Sequence, residues 1–110
     1  MKNMLKFICI CLIAIALIVN PHPAAASDSG GELFTANCAG CHPKGGNIIR
    51  RGKNLKAKAL NRNRVDSQEA IVSLVTGGKG IMPAYRDRLT AEEIDAVSHY
   101  VLEQAATDWK

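Results

Sequence analysis

The chain has 110 residues, with 14 lysines and arginines against 10 acids and only five aromatic side chains. That length makes one small domain the expectation, and a formal net charge of +4 selects no class of partner. A core of this size lies near the limit of self-sufficiency, so something beyond packing is expected to stabilise it.

The first 26 residues read as an export signal. Lys2 and Lys6 form a charged start, Phe7 to Val19 an apolar run of 13, Asn20-Pro21-His22-Pro23 a break, and Ala24-Ala25-Ala26 a small-residue cleavage site. Thirteen apolar residues fall short of the roughly 20 that cross a bilayer, which argues against a retained anchor. No twin arginine precedes the run, so export of an unfolded chain is expected, with any cofactor added afterwards. The mature domain then spans 27–110, and Cys9, Cys11 and His22 leave with the signal. Loss of Lys2 and Lys6 takes the balance to 12 basic residues against 10 acids, a formal +2.

Gly30 to Ala39 is expected to form a first helix, with Phe34 and Cys38 four residues apart on one face. Next comes "NCAGCHPKGG", where Cys38, Cys41 and His42 are clustered. A redox-active disulfide usually sits in a βαβ pattern, which is missing here, and it would leave His42 without a task. Zinc requires four ligands, and beyond these three only His99 remains as a good one. The third reading is C-x-x-C-H, the attachment signature of c-type haem, complete and in an exported chain. On a helical turn, positions i and i+3 share a face, so Cys38 and Cys41 can reach both vinyl groups along one porphyrin edge. His42 is then the proximal iron ligand. The small Ala39 and Gly40 let the backbone lie close to the ring, and a buried porphyrin supplies the centre that four aromatics, Phe34, Tyr85, Tyr100 and Trp109, cannot.

Pro43 to Val65 carries Lys44, Arg50, Arg51, Lys53, Lys56, Lys58, Arg62 and Arg64 with no acid. It is either a solvated loop or a docking patch for an acidic partner. Lys56 to Leu60 is read as a short second helix. Asp66 is expected to cap a third, which runs to about Thr76 with Ala70, Ile71, Leu74 and Val75 inward before Gly77-Gly78 ends it. Met82, the only methionine of residues 27–110, sits in "GGKGIMPAY". A Gly/Pro loop is an unusual place for core filler, and with haem already indicated Met82 is the candidate sixth ligand. Thr90 and Glu93 spell a capping box for a last helix, to about Ala105. There Ile94, Val97, Val101 and Ala105 form one stripe, while His99 falls opposite, as a solvated histidine. No strand pattern, internal repeat or second domain is present.

With His42 and Met82 both on iron, no open position remains. That favours outer-sphere transfer of one electron over oxygen or peroxide chemistry, and a thioether ligand raises the potential. The opposing class, a haem enzyme or sensor with a vacant sixth position, has Met82 against it.

From Gly31 to Trp109 the chain resembles the cytochrome c6 family. The resemblance lies in "GELFTANCAGCH", "GGN", "NL", "IVSLVTGGKGIMPAY", "RL" and "VSHYVLEQA", in that order. It implies an all-α, small class I cytochrome c fold of about four helices around one covalently bound haem c, with Gly31 and Phe34 meeting the last helix near Tyr100. It also implies a monomeric carrier in the thylakoid lumen or periplasm, moving electrons from the cytochrome b6f complex, through cytochrome f, to photosystem I or a terminal oxidase. Arg88 resembles the basic residue near the family's docking surface. Nucleic acid and membrane insertion are not expected. The family's usual glutamine, eight residues before the methionine ligand, is Leu74 here. Low-potential relatives also carry an apolar residue there, so the alternative implied is a low-potential paralogue with a different redox partner.

Overall fold

The computed structural model describes residues 26–110 together with Met1, Asn3 and Met4. The apolar run Phe7–Val19 and the rest of the expected signal up to Ala25 lie outside the described residues. Four α-helices follow: α1 (Ala26–Asn37), α2 (Ala57–Arg62), α3 (Gln68–Gly77) and α4 (Ala91–Ala106). Two 3-10 turns, Pro43–Gly45 and Arg51–Lys53, punctuate the long connection after α1. Among the described residues the only extended pairing is an isolated bridge between Lys79 and Met82. The expected all-helical architecture is thus observed, and no described helix is long and apolar enough to cross a membrane.

Helices α3 and α4 start for local reasons. The Thr90 hydroxyl accepts the Glu93 N–H at 3.1 Å and the Glu93 carboxylate accepts the Thr90 N–H at 2.9 Å, so the capping box of α4 is complete. The third helix corrects the reading of Asp66. Ser67 is the N-cap, its hydroxyl accepting the Ala70 N–H, while the Asp66 carboxylate turns back to accept from the Asn61 amide at 2.9 Å. Both residue types cap well, and the one with extended backbone directly before the first helical residue takes the role. Gly78 ends α3 at φ +69°, its N–H returning to the Leu74 carbonyl.

The helices pack on a core of Phe34, Leu60, Ile71, Val75, Ile94, Val97, Val101 and Ala105. Burial of each large aliphatic or aromatic side chain here contributes about 1.5–3 kcal/mol relative to exposure. Helix α1 crosses α4 at close range. A Cβ on Gly30 would stand 2.5 Å from the Ala96 carbonyl oxygen and 2.8 Å from the Tyr100 Cβ, so only glycine permits this approach. One turn on, Phe34 meets Tyr100 at 5.5 Å and Trp109 at 5.0 Å between ring centroids. The expected contact of Gly31 and Phe34 with Tyr100 is present, and Trp109 joins it.

Candidate functional site

Directly after α1 the chain continues in tight turns. The Cys41 and His42 N–H groups both donate to the Cys38 carbonyl, at 3.1 and 2.9 Å. Local bonds of this span hold the two thiols and the imidazole on one short piece of backbone.

This turn forms one wall of a cavity of about 530 Å³, a volume in the ordinary range for small-molecule and cofactor sites. Cys38, Cys41 and His42 line it from one side and Met82 from the methionine loop on the other. Its floor is apolar, with Phe34, Leu60, Ile71, Leu74, Val97 and Val101 contributed by all four helices. All four residues singled out in the sequence as ligands or attachment points therefore face one space. His99 does not. It lines a separate surface depression with Ala91, Glu92, Asp95 and Ala96, and its Nε2 pairs with the Glu103 carboxylate at 2.6 Å.

The imidazole is oriented. His42 Nδ1 lies 2.8 Å from the Gly46 carbonyl oxygen, which can only accept, so Nδ1 carries a proton and the neutral form of the ring presents its lone pair at Nε2. Cys38 and Cys41 are not joined to each other in a disulfide. Before haem attachment, burial, reinforced by the nearby Cys41, pushes the Cys38 thiol up to about 11. Among the described residues no three histidine, cysteine or acidic side chains are placed to share one metal ion.

On the other wall, Lys79 and Met82 exchange backbone hydrogen bonds of 3.1 and 3.0 Å, forming a tight loop that carries Met82. Tyr85 fastens the loop to the rest: its N–H donates to the Val75 carbonyl and its hydroxyl to the Asn37 carbonyl, both at 2.9 Å. Burial raises the Tyr85 phenol above its ordinary value. Arg88 stacks its guanidinium 5.3 Å from the Tyr85 ring centroid and does not line the cavity.

Sequence reasoning did not single out Gly46, whose carbonyl orients His42, nor Ile49 and Ile81 at the cavity. Ile81 is 75% exposed and Ile49 51%, an unusual exposure for large apolar side chains. Of the eight basic residues between Pro43 and Val65, only Arg50 and Lys53 line the cavity, with Lys79 joining them from the other wall. The "GGN" and "NIIR" stretches held these signals, but no periodicity marks a loop.

Residues 25–101 match the family model described as "Cytochrome C oxidase, cbb3-type, subunit III". A cytochrome c6-like protein of Nostoc sp. is 46% identical over 111 residues, covering 100% of both chains. The chain belongs to the cytochrome c6 family. Cytochrome c6 of Thermosynechococcus vestitus is 48% identical over 107 residues, spanning 94% of this chain and 96% of that protein. The crystal structure of cytochrome c6C from a Synechococcus species aligns with a TM-score of 0.72 and 60% identity, over 74% of this chain and 99% of that one. As a member of the cytochrome c6 family the protein is a monohaem c-type electron carrier, not an enzyme, and its one cofactor is covalently bound haem c.

Proposed function

We propose that the cavity holds the haem through thioethers to Cys38 and Cys41, with His42 Nε2 and Met82 Sδ as the two iron ligands. The observation that carries this reading is the convergence of two thiols, an imidazole with its lone pair free and a thioether on one apolar space. That donor set fits haem c: thiols for the vinyl groups, nitrogen and soft sulfur for iron. The bound haem supplies a one-electron iron couple. His42 and Met82 would hold its iron, while Leu74, Val97 and Val101 keep the space apolar and the Gly46 carbonyl fixes the histidine tautomer.

The carrier works in an exported compartment, thylakoid lumen or periplasm, after cleavage near Ala26. It takes electrons from cytochrome f and delivers them to photosystem I or a terminal oxidase, as a monomer. Support for the docking face comes from the cavity rim, where exposed Ile49 and Ile81 lie among Arg50, Lys53 and Lys79. An apolar centre with basic neighbours suits a partner with an apolar patch edged by carboxylates. A second reading, a low-potential paralogue, is compatible with Leu74 lining the cavity, an apolar group where the family usually has an amide.

Intact mass and a reduced visible spectrum with and without carbon monoxide test the assignment. The expected mass is residues 27–110 plus one haem resistant to acid-acetone extraction, and the expected spectrum is unchanged by carbon monoxide. Extractable haem, or a carbon monoxide adduct, sinks the attachment or the closed iron respectively. Docking is tested by the bimolecular rate with an acidic partner, which should fall as the Debye length shrinks from about 30 Å at 0.01 M salt to about 10 Å at 0.1 M.

A further inference from the structure

The end of the chain is folded back in a way that local preference does not favour. Asp108 and Trp109 have φ of +56° and +58°, the left-handed region, where a bulky residue is an outlier. Such backbone persists where surrounding contacts over-determine it. Here the contacts are specific. The Trp109 N–H returns to the Gln104 carbonyl at 2.8 Å, and Lys56 pairs with Asp108 at 3.5 Å. The indole Nε1–H donates to the Leu55 carbonyl at 3.0 Å.

Leu55 is one end of a closed loop. Its N–H donates to the Gly45 carbonyl at 2.7 Å, which joins the two ends of the segment 45–55. Gly45 is buried at φ +75°, and a Cβ there would stand 2.4 Å from three atoms of the indole, so the Trp109 ring lies directly on its backbone. The next residue, Gly46, presents the carbonyl that accepts from His42 Nδ1. Indole, Leu55, Gly45, Gly46 and imidazole thus form one connected path in which every link is a hydrogen bond, a peptide bond or a contact with no slack.

We propose that Trp109 is a positioning residue for His42: from the far end of the sequence it clamps the 45–55 loop closed and thereby holds the Gly46 carbonyl on the imidazole Nδ1–H. The proposal rests on the reading of His42 as the iron's nitrogen ligand. A hydrogen bond from Nδ1–H to a carbonyl raises the basicity of Nε2 and favours the oxidised, more positive iron. Loosening the clamp weakens that bond and raises the midpoint potential, without any change at Met82.

The test uses the reduced holoprotein. Trp109→Phe keeps a ring against Gly45 and removes the N–H. A second variant, with β-(3-benzothienyl)alanine at 109, keeps the bicyclic shape and also lacks the donor, should phenylalanine fold poorly. Tyr100→Leu is the comparison, since Tyr100 packs edge-on to Trp109 at 6.0 Å and has no hydrogen bond to the loop among the described residues. Exchange of the His42 Nδ1–H, followed by NMR, should quicken at least tenfold in both Trp109 variants, and the potential should rise. In Tyr100→Leu neither should move, although thermal stability falls. Unchanged exchange and potential in the Trp109 variants, or equal changes in Tyr100→Leu, would overturn the clamp and leave Trp109 as packing alone. Absence of an iron-bound histidine signal in the unsubstituted protein would overturn the ligand reading and the clamp together.

Discussion

The two walls of the cavity are built in opposite ways. The histidine wall is dense with hydrogen bonds: the Cys38 carbonyl takes two N–H groups, Gly45 and Gly46 turn back on His42 and Pro43, and Leu55 and Trp109 close the loop behind them. The methionine wall is a short span from Gly78 to Tyr85, with Gly78 and Gly80 left-handed, one reciprocal backbone pair and an exposed Ile81. A heavily bonded wall fixes His42, whereas a lightly bonded one leaves Met82 freer to shift. On the ligation proposed above, the difference teaches that two ligands of one iron need not be held with equal rigidity. The wall that carries Cys38 and Cys41 is the one the fold invests in.

Substituting each candidate ligand breaks the comparison most sharply. His42→Ala is expected to cut the yield of folded, low-spin holoprotein more than tenfold, because the wall loses the group around which its loop closes. Met82→Ala is expected to fold and retain haem, lose about 2 kcal/mol for a truncated, half-buried side chain, admit carbon monoxide and lower the potential. Visible spectra and denaturant titrations measure both. A Met82→Ala spectrum identical to that of the unsubstituted protein would assign the sixth position to another group.

Tyr85 is the tie between the walls, since its hydroxyl crosses from the methionine side to the end of α1. Tyr85→Phe leaves the part-buried Asn37 carbonyl without that donor and should cost about 1–1.5 kcal/mol. The phenol's value is raised in the folded state, so its contribution is complete below the ordinary phenol range and is lost as pH rises through the raised value. Stability of the unsubstituted protein should therefore fall on the alkaline side, and that fall should flatten in Tyr85→Phe. Chemical unfolding at pH 7 and above 10 measures this; parallel pH profiles would remove Tyr85 as its source.

Leu74 tests polarity rather than rigidity. A leucine at the cavity excludes water, whereas a glutamine brings an orientable amide dipole. Leu74→Gln is expected to raise the midpoint potential with both ligands kept, and an equal or lower potential would favour the ordinary lumenal carrier over the low-potential paralogue. The smallest effect belongs to Ser98, which lies on neither wall. It is fully buried and its hydroxyl has no partner among the described residues. Ser98→Ala should be neutral or stabilise by up to about 1 kcal/mol in a denaturant titration, since an orphaned hydroxyl costs free energy and alanine is the better helix former.

What the sequence made legible follows the same division. Periodic and short-range signals were readable: the α4 stripe of Ile94, Val97 and Val101 is buried, and the Thr90–Glu93 box closes as spelled. Cys38, Cys41, His42 and Met82 announced themselves by type and spacing, and all four line one cavity. Between Asp66 and Ser67 the choice of cap depended on where the helix backbone begins, which adjacent residues of equal capping strength do not reveal. Trp109 was invisible as a contact of the 45–55 loop. Its placement depends on two left-handed residues and on a partner carbonyl 54 positions earlier, and neither leaves a local pattern. The same holds for the rim, where eight basic residues looked alike until the loop brought only Arg50 and Lys53 to the cavity.

The crossing of α1 on α4 also sets an order in time. Gly30 meets Ala96 and Tyr100, 66 and 70 positions further on, only after the chain between has been brought round, a long closure that makes this contact slow to find. The bonds that shape the Cys38–His42 turn reach back three or four residues and can form on the microsecond scale of a single helical turn. An extended chain therefore presents Cys38 and Cys41 on a nearly finished turn while α1 and α4 have yet to meet, and the helix crossing then seals a pocket whose cysteine edge was already shaped.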